Sequence, residues 1–221
     1  MGRKAKERNP IPTFVFVVDG ETEIWYLQML KHNERKIRLN IKPEIPQKKR
    51  LNDQFELVCE LANSEYNRVF WIVDLDTIIK ESKEVAPGVK TPLSSFHEMK
   101  SKLLVKFQNV QVIVNNPCLE FWFLLHFNPT SKYYQRCSDA TRELKKHFHR
   151  YKKTEEFFKK KNNDIYLQLK PHLRYAIENA AALDPFDKEN PEKAICEMHE
   201  LFMCEELKSC LENKTNNSHG P

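Results

Sequence analysis

Three runs of apolar, mostly β-branched or aromatic residues each stop at a polar tip. TFVFVV (13–18) ends at Asp19-Gly20, RVFWIV (68–73) at Asp74-Leu75-Asp76, and VQVIV (110–114) at Asn115-Asn116-Pro117. A strand with one wet face alternates apolar and polar residues. These runs largely do not, so each is expected to be buried on both faces, the habit of a parallel sheet covered by helices. TEIWYLQMLKH (22–32) and LNDQFELVCELAN (51–63) carry apolar residues at helical spacing, as does SFHEMKSKLLVKF (95–107) with Ser94 or Ser95 as its N-cap. IRLNIKPEI (37–45) alternates and reads as a strand near the sheet edge, where Pro43 is tolerated. Residues 77–93 read as an irregular loop marked by Pro87, Gly88 and Pro92. CLEFWFLLHF (118–127) reads as a helix with Pro117 at its first position. Strand and helix thus alternate four times, which predicts an α/β domain with a mostly parallel four-stranded sheet flanked by helices.

After Asn128-Pro129 the pattern changes to helix-like stretches at 138–153, 154–160, 164–183 and 190–212, broken at Pro171. The expected organisation is a disordered basic lead-in (1–12), an α/β domain (13–128), a helical segment packed on it (129–212) and a disordered tail (213–221). With 40% hydrophobic residues the chain can build a core, and its 4 glycines argue against a glycine-rich nucleotide loop. No apolar run approaches the ~18 residues of a membrane span, and the basic N-terminus does not resemble a signal peptide. The six cysteines form no C-x-x-C pair, so reduced thiols in a cytoplasmic protein are expected. The spacing of Cys196, His199 and Cys204 does not converge on a structural zinc.

In an open parallel sheet, ligands collect beyond the carboxyl ends of the strands. Asp19 and the pair Asp74/Asp76 are expected there, with the pair sharing one face of an extended segment. Gathered carboxylates repel one another unless a cation lies among them. Mg²⁺ (or Mn²⁺) suits an all-oxygen set, and two such ions can clamp the attacking and leaving oxygens of a phosphodiester. Each piece also has a plainer reading. Asp19-Gly20 could be a turn, Glu21 and Glu23 could simply favour a helix dipole, and D-x-D could cap a helix. Glu120 either joins the acidic site or caps the helix it opens, and His126 reads as packed or at the surface. Basic residues cluster at 47–50, 145–153 and 159–161, interleaved with Phe148, Tyr151, Phe157 and Phe158. Lys145, Lys146, Arg150, Lys152 and Lys153 could track a phosphate backbone while the aromatics stack bases, or form a solvated helix face.

DGETEIWYLQML (19–30), FWIVDLD (70–76) and NNPCLEFWFLLHF (115–127) resemble the three blocks of the RloB-like family, a group similar to Toprim-type domains and OLD-type nucleases. Asn116, Pro117, Cys118, Glu120, Trp122, Leu124, Leu125 and His126 fall in step with its third block, and the likeness covers most of residues 13–183. The resemblance implies a Toprim-like fold in which Asp74 and Asp76 hold Mg²⁺, with Asp19 at the position of the family's acid–base glutamate. Asp19 is one methylene shorter than that glutamate, and Glu21 or Glu23 could take over its work. It implies a Mg²⁺-dependent nuclease acting on DNA or RNA in a bacterial defence system, beside an ABC- or AAA-type ATPase. The expected catalytic set is Asp19, Glu23 and Glu120, and the expected metal set Asp74, Asp76 and Asp19. The rival is a non-catalytic Toprim-like subunit that binds nucleic acid or the ATPase. A homodimer is left open by either reading.

Overall fold

The computed structural model describes residues 11–18, 20–42 and 50–212. Residues 1–10 of the N-terminal lead-in, the stretch containing Pro43, the basic run 47–49 and the tail lie outside them, as does Asp19. Five strands form one sheet in the order β2-β1-β3-β4-β5. They are β1 (Thr13–Val17), β2 (Arg38–Lys42), β3 (Arg68–Asp74), β4 (Val110–Asn116) and β5 (Ile195–Cys196). The first four run parallel, as the unalternating apolar runs require, and β2 occupies an edge. The expected four strands become five: β5 adds antiparallel to the far edge, pairing Cys196 with Asn115 and Ile195 with Asn116. The α/β expectation holds, and the mostly parallel, helix-flanked sheet is consistent with a Toprim-like fold.

The two-residue period of a strand sends alternate side chains to opposite faces, and each face has its own core. Val15, Val17, Trp71, Val73, Val112 and Val114 point to one side. There they meet α2 (Leu51–Ala62), α3 (Leu75–Glu84) and α4 (Pro92–Lys106). Trp71 fills the centre of that layer, and its Nε1–H donates to Gln54 Oε1 at 2.9 Å, so the indole is buried without an orphaned donor. Phe14, Phe16, Phe70, Ile72 and Ile113 point to the other side, against α1 (Glu21–Asn33) and α5 (Leu119–Leu125).

The same layer takes in the later helices α6 (Cys137–His147), α7 (Glu155–Phe158), α8 (Ile165–Leu169), α9 (Leu173–Ala181), α10 (Met198–Met203) and α11 (Glu205–Glu212). One continuous apolar cluster runs from Phe14 to Leu207. Every residue of α5 is buried, because it is wrapped by β4 on one side and by α6 and α9 on the others, with Trp122 stacked on Phe202 of α10. Among the described residues, no helix is long and apolar enough to cross a membrane.

Four local expectations change. Residues 77–84 are helical, because Leu75, Ile78 and Ile79 form an i, i+3, i+4 stripe that buries against the sheet, and the loop starts only at Val85. The N-cap of α4 is Thr91, whose Oγ1 accepts from Ser94 N–H at 3.1 Å ahead of Pro92 at the first position. Pro117 lies outside α5, whose N-cap is Cys118. Finally, the aromatics between the basic residues turn inward. Tyr151 and Phe158 are buried, and Phe148 and Phe157 pack against Tyr151, so none forms a platform for bases.

Candidate active site

The carboxyl ends of β1, β3 and β4 lie side by side, and the acidic residues sit at the end of β3 (Asp74) and in the first turns of the helices that follow the strands: Glu23 in α1, Asp76 in α3 and Glu120 in α5. Gly20 is the N-cap of α1 and offers no side chain to the helix end. Glu23, three residues on, curls back over that glycine. A Cβ at Gly20 would sit 2.0 Å from Glu23 Oε2, so only glycine leaves room for the carboxylate there. Glu23 is buried, and desolvation followed by repulsion from Glu120 pushes its pKa up to about 7. Its own backbone N–H, Lys153 and a hydrogen bond with Asp74 oppose the rise without cancelling it.

Asp74 ends β3 directly opposite Asn115 of β4. Its pKa is raised well above the ordinary aspartate value, first by desolvation and then by Glu23, Glu120 and Asp76 in that order. Asn115 Nδ2 lies 3.5 Å from Asp74 Oδ1, while Asn115 Oδ1 is buried without a hydrogen-bond partner among the described residues. Asp76 does not share a face with Asp74, because α3 begins between them and the segment is not extended. Its Oδ1 accepts from Thr77 N–H at 2.7 Å, and its Oδ2 from Cys137 N–H at 3.3 Å.

Glu120 sits in the first turn of α5, buried, and its carboxylate faces the acidic group. Its Oε1 accepts from the Tyr151 hydroxyl at 3.1 Å and from Lys153 Nζ at 2.8 Å. Burial and the adjacent Glu120 charge push the Tyr151 hydroxyl pKa upward, so it stays a donor. Lys153, half exposed, is the cation that faces Glu120, Glu23 and Asp74 together. Glu120 Oε2 lies 3.0 Å from Cys137 Sγ, and Cys137 is joined to Cys118 by a disulfide, which corrects the expectation of reduced thiols throughout. Two clefts open beside this group and share Cys137 and Ser138. One of about 660 Å³ is lined by Asp76, Thr77, Lys80, Lys83 and Arg136. The other, of about 560 Å³, is lined by Thr141, Arg142, Lys145 and Lys153.

The structure therefore brings together Glu23, Asp74, Asp76 and Glu120. Of the basic residues singled out in the sequence, Lys153 pairs with Glu120 and Lys145 lines a cleft. Lys146 turns to Glu143 at 2.9 Å, and Arg150 and Lys152 are exposed. Asn116 is structural: its Nδ2 donates to the carbonyls of Pro191 and Lys193 and holds the chain that enters β5. His126 is packed, with Nδ1 2.9 Å from the Trp122 carbonyl, and desolvation drives its pKa down to about 3. Sequence reasoning missed Tyr151 as a Glu120 donor, Asn115 as the neighbour of Asp74, and the cysteine pair. It also missed Lys80, Lys83 and Arg136 at the larger cleft.

The sequence model of the RloB-like protein family matches residues 14–204, nearly the whole described chain and all three strand-end blocks. The chain belongs to the RloB-like family. No curated protein and no solved structure matches it. For this RloB-like chain the family match spans both the sheet and the later helices, and so includes Tyr151 and Lys153 along with the acidic residues they face.

Proposed function

We propose that this RloB-like protein is a nuclease dependent on Mg²⁺ or Mn²⁺ that hydrolyses phosphodiester bonds in DNA or RNA. The observation that carries the reading is the pair Glu23 and Asp74. Both are pushed toward the neutral form at the carboxyl edge of a parallel sheet, Glu23 by burial and the Glu120 charge, Asp74 by burial and the charges of Glu23, Glu120 and Asp76. Carboxylates crowded this way are a poor arrangement for a bare protein and a good one for a hard cation. The donor set fits such an ion, since it is all oxygen and Asn115 Oδ1 adds a buried acceptor with no other partner among the described residues. Asp74 and Asp76 would hold it, with Asp19 as a further ligand and Glu23 beside them. When bound, such an ion supplies charge stabilisation to a phosphodiester undergoing displacement.

The chain's own groups supply the rest. Glu23, with a pKa of about 7, is matched to taking a proton from water near neutrality. Asp19 would share or shift that role. Tyr151 and Lys153 fix Glu120 in place beside it. Lys80, Lys83, Arg136, Arg142 and Lys145 line the two clefts, where a polyanion would lie. From the family resemblance we extend the reading to a cytoplasmic defence nuclease of Toprim type, related to the OLD-type enzymes, whose activity an ABC- or AAA-type ATPase gates.

One observation favours the rival, a non-catalytic Toprim-like subunit. Both oxygens of Asp76 already accept backbone N–H groups, so it must give one up to serve as a ligand. The test incubates the protein, with and without a cognate ATPase, with plasmid, single-stranded DNA or total tRNA in Mg²⁺, Mn²⁺ or EDTA, beside Asp74→Ala. Cleavage that needs the metal and is lost in Asp74→Ala is expected. No metal-dependent cleavage under any condition rules the nuclease out, and cleavage retained by Asp74→Ala moves the site elsewhere.

A further inference from the structure

Cys118, Glu120 and Cys137 present a ligand set of a different chemical kind from the oxygen cluster. The two sulfurs and a Glu120 oxygen all lie within 4.8 Å of one another, contributed by the N-cap and first turn of α5 and the first residue of α6. A disulfide sulfur carries no proton, so Cys137 Sγ cannot donate to the Glu120 Oε2 that stands 3.0 Å from it. That approach makes chemical sense when a proton or a cation occupies the space between sulfur and oxygen.

We propose that in the dithiol form Cys118, Cys137 and Glu120 bind one thiophilic divalent cation of the Zn²⁺ class, separate from the ion expected at Glu23 and Asp74. Two thiolates and a carboxylate suit a borderline-soft ion and are a poor set for Mg²⁺. Cys137 lines both clefts, from which water or an anion would supply a fourth ligand. Charge also balances. The two thiolates and Glu120 are matched by the divalent ion and by the Lys153 ammonium, already 2.8 Å from Glu120 Oε1. The chemistry requires a two-electron reductant, such as a small thiol. Two equivalents of a small thiol reduce the disulfide to two cysteine thiols and leave as their own disulfide, and each cysteine thiol then releases one proton as the metal binds. Residues 118 and 137 therefore exchange a covalent clasp for a metal clasp between α5 and α6, according to redox state.

Co²⁺ titration of the full chain tests this, after reduction by a phosphine that is then removed. The reduced protein is expected to gain thiolate-to-cobalt charge-transfer absorption that saturates at one equivalent and is bleached by Zn²⁺. The signal is expected to be absent from the oxidised protein, lost in Cys118→Ser and in Cys137→Ser, and kept in Asp74→Asn. Retention in Asp74→Asn separates this site from the nuclease reading, which that variant disables. No absorption in the reduced protein overturns the proposal. So does absorption that survives in Cys118→Ser/Cys137→Ser, which would assign it to other cysteines such as Cys59, Cys196 or Cys204. Alkylation of the reduced wild type, read by mass spectrometry, requires no variant to fold. Zn²⁺ is expected to protect Cys118 and Cys137, and equal labelling with and without Zn²⁺ refutes the site.

Discussion

Replacing Glu23 by Gln should make the metal-free protein more stable above neutral pH. In the fold the Glu23 pKa rises from 4.5 to about 7, mainly because burial penalises the charged carboxylate. Between those values the folded chain holds a proton that the unfolded chain has lost. The associated stability is fully present below 4.5 and disappears as pH rises through about 7. The span corresponds to roughly 3 kcal/mol. With an unfolding entropy of about 2.1 cal/mol/K per residue over 221 residues, that becomes about 7 °C in Tm. Asp74 shifts in the same direction, first through burial, but it is present in both proteins, so most of its contribution cancels from the comparison. The assay is urea unfolding in EDTA at a series of pH values, wild type against Glu23→Gln. The two should nearly coincide near pH 4.5, with the variant gaining on the wild type until it leads by roughly 3 kcal/mol above pH 7. Saturating Mn²⁺ should erase most of that gap by supplying the missing charge. A constant difference across the window, or a wild type that gains on the variant as pH rises, refutes the reasoning.

Gly20→Ala places a methyl carbon where Glu23 Oε2 now lies, so the carboxylate must move while the backbone need not. Mn²⁺ affinity should fall roughly 10-fold as the carboxylate beside the ligands shifts, with unfolding free energy changed by less than about 1 kcal/mol; unaltered affinity would detach Glu23 from the metal site. Tyr151→Phe takes a donor from the buried Glu120 carboxylate and should cost about 1–3 kcal/mol in chemical denaturation. A cost near zero would mean that Lys153 alone satisfies it. Lys145→Ala should weaken binding of a labelled single-stranded oligonucleotide and reduce the slope of log affinity against log salt by about one. Anisotropy titrations with an unchanged slope would take the smaller cleft off the nucleic-acid path.

Signals local in sequence were readable in advance, whereas features made by distant contacts were not. The unalternating runs of β1, β3 and β4 gave a buried parallel sheet, and their polar tips marked its carboxyl edge. The α3 stripe of Leu75, Ile78 and Ile79 was equally local. It was obscured by Pro87, Gly88 and Pro92, which act only after the helix has ended. That error also put Asp74 and Asp76 on one face, when the start of α3 turns Asp76 toward Cys137. β5 is two residues long and exists because Asn115 and Asn116 offer it an edge, which no periodicity can reveal. The Cys118–Cys137 clasp closes across 19 positions, and Lys153, between α6 and α7, leaves a basic surface run to meet a buried carboxylate on α5. In both cases the partner is set by tertiary packing. The interleaved aromatics were misplaced because a short amphipathic segment shows which residues are apolar but not whether a core waits for them.

The central claim is that buried, mutually repelling carboxylates at the sheet's carboxyl edge hold a hard divalent cation. Calorimetric titration of the metal-free, disulfide-intact chain with Mn²⁺ tests it most directly, comparing wild type with Asp74→Ala/Asp76→Ala. The account predicts a saturable heat in the wild type that disappears in the double variant while the far-ultraviolet circular dichroism is unchanged. An identical titration curve from a folded double variant, or no binding by the wild type, would contradict it.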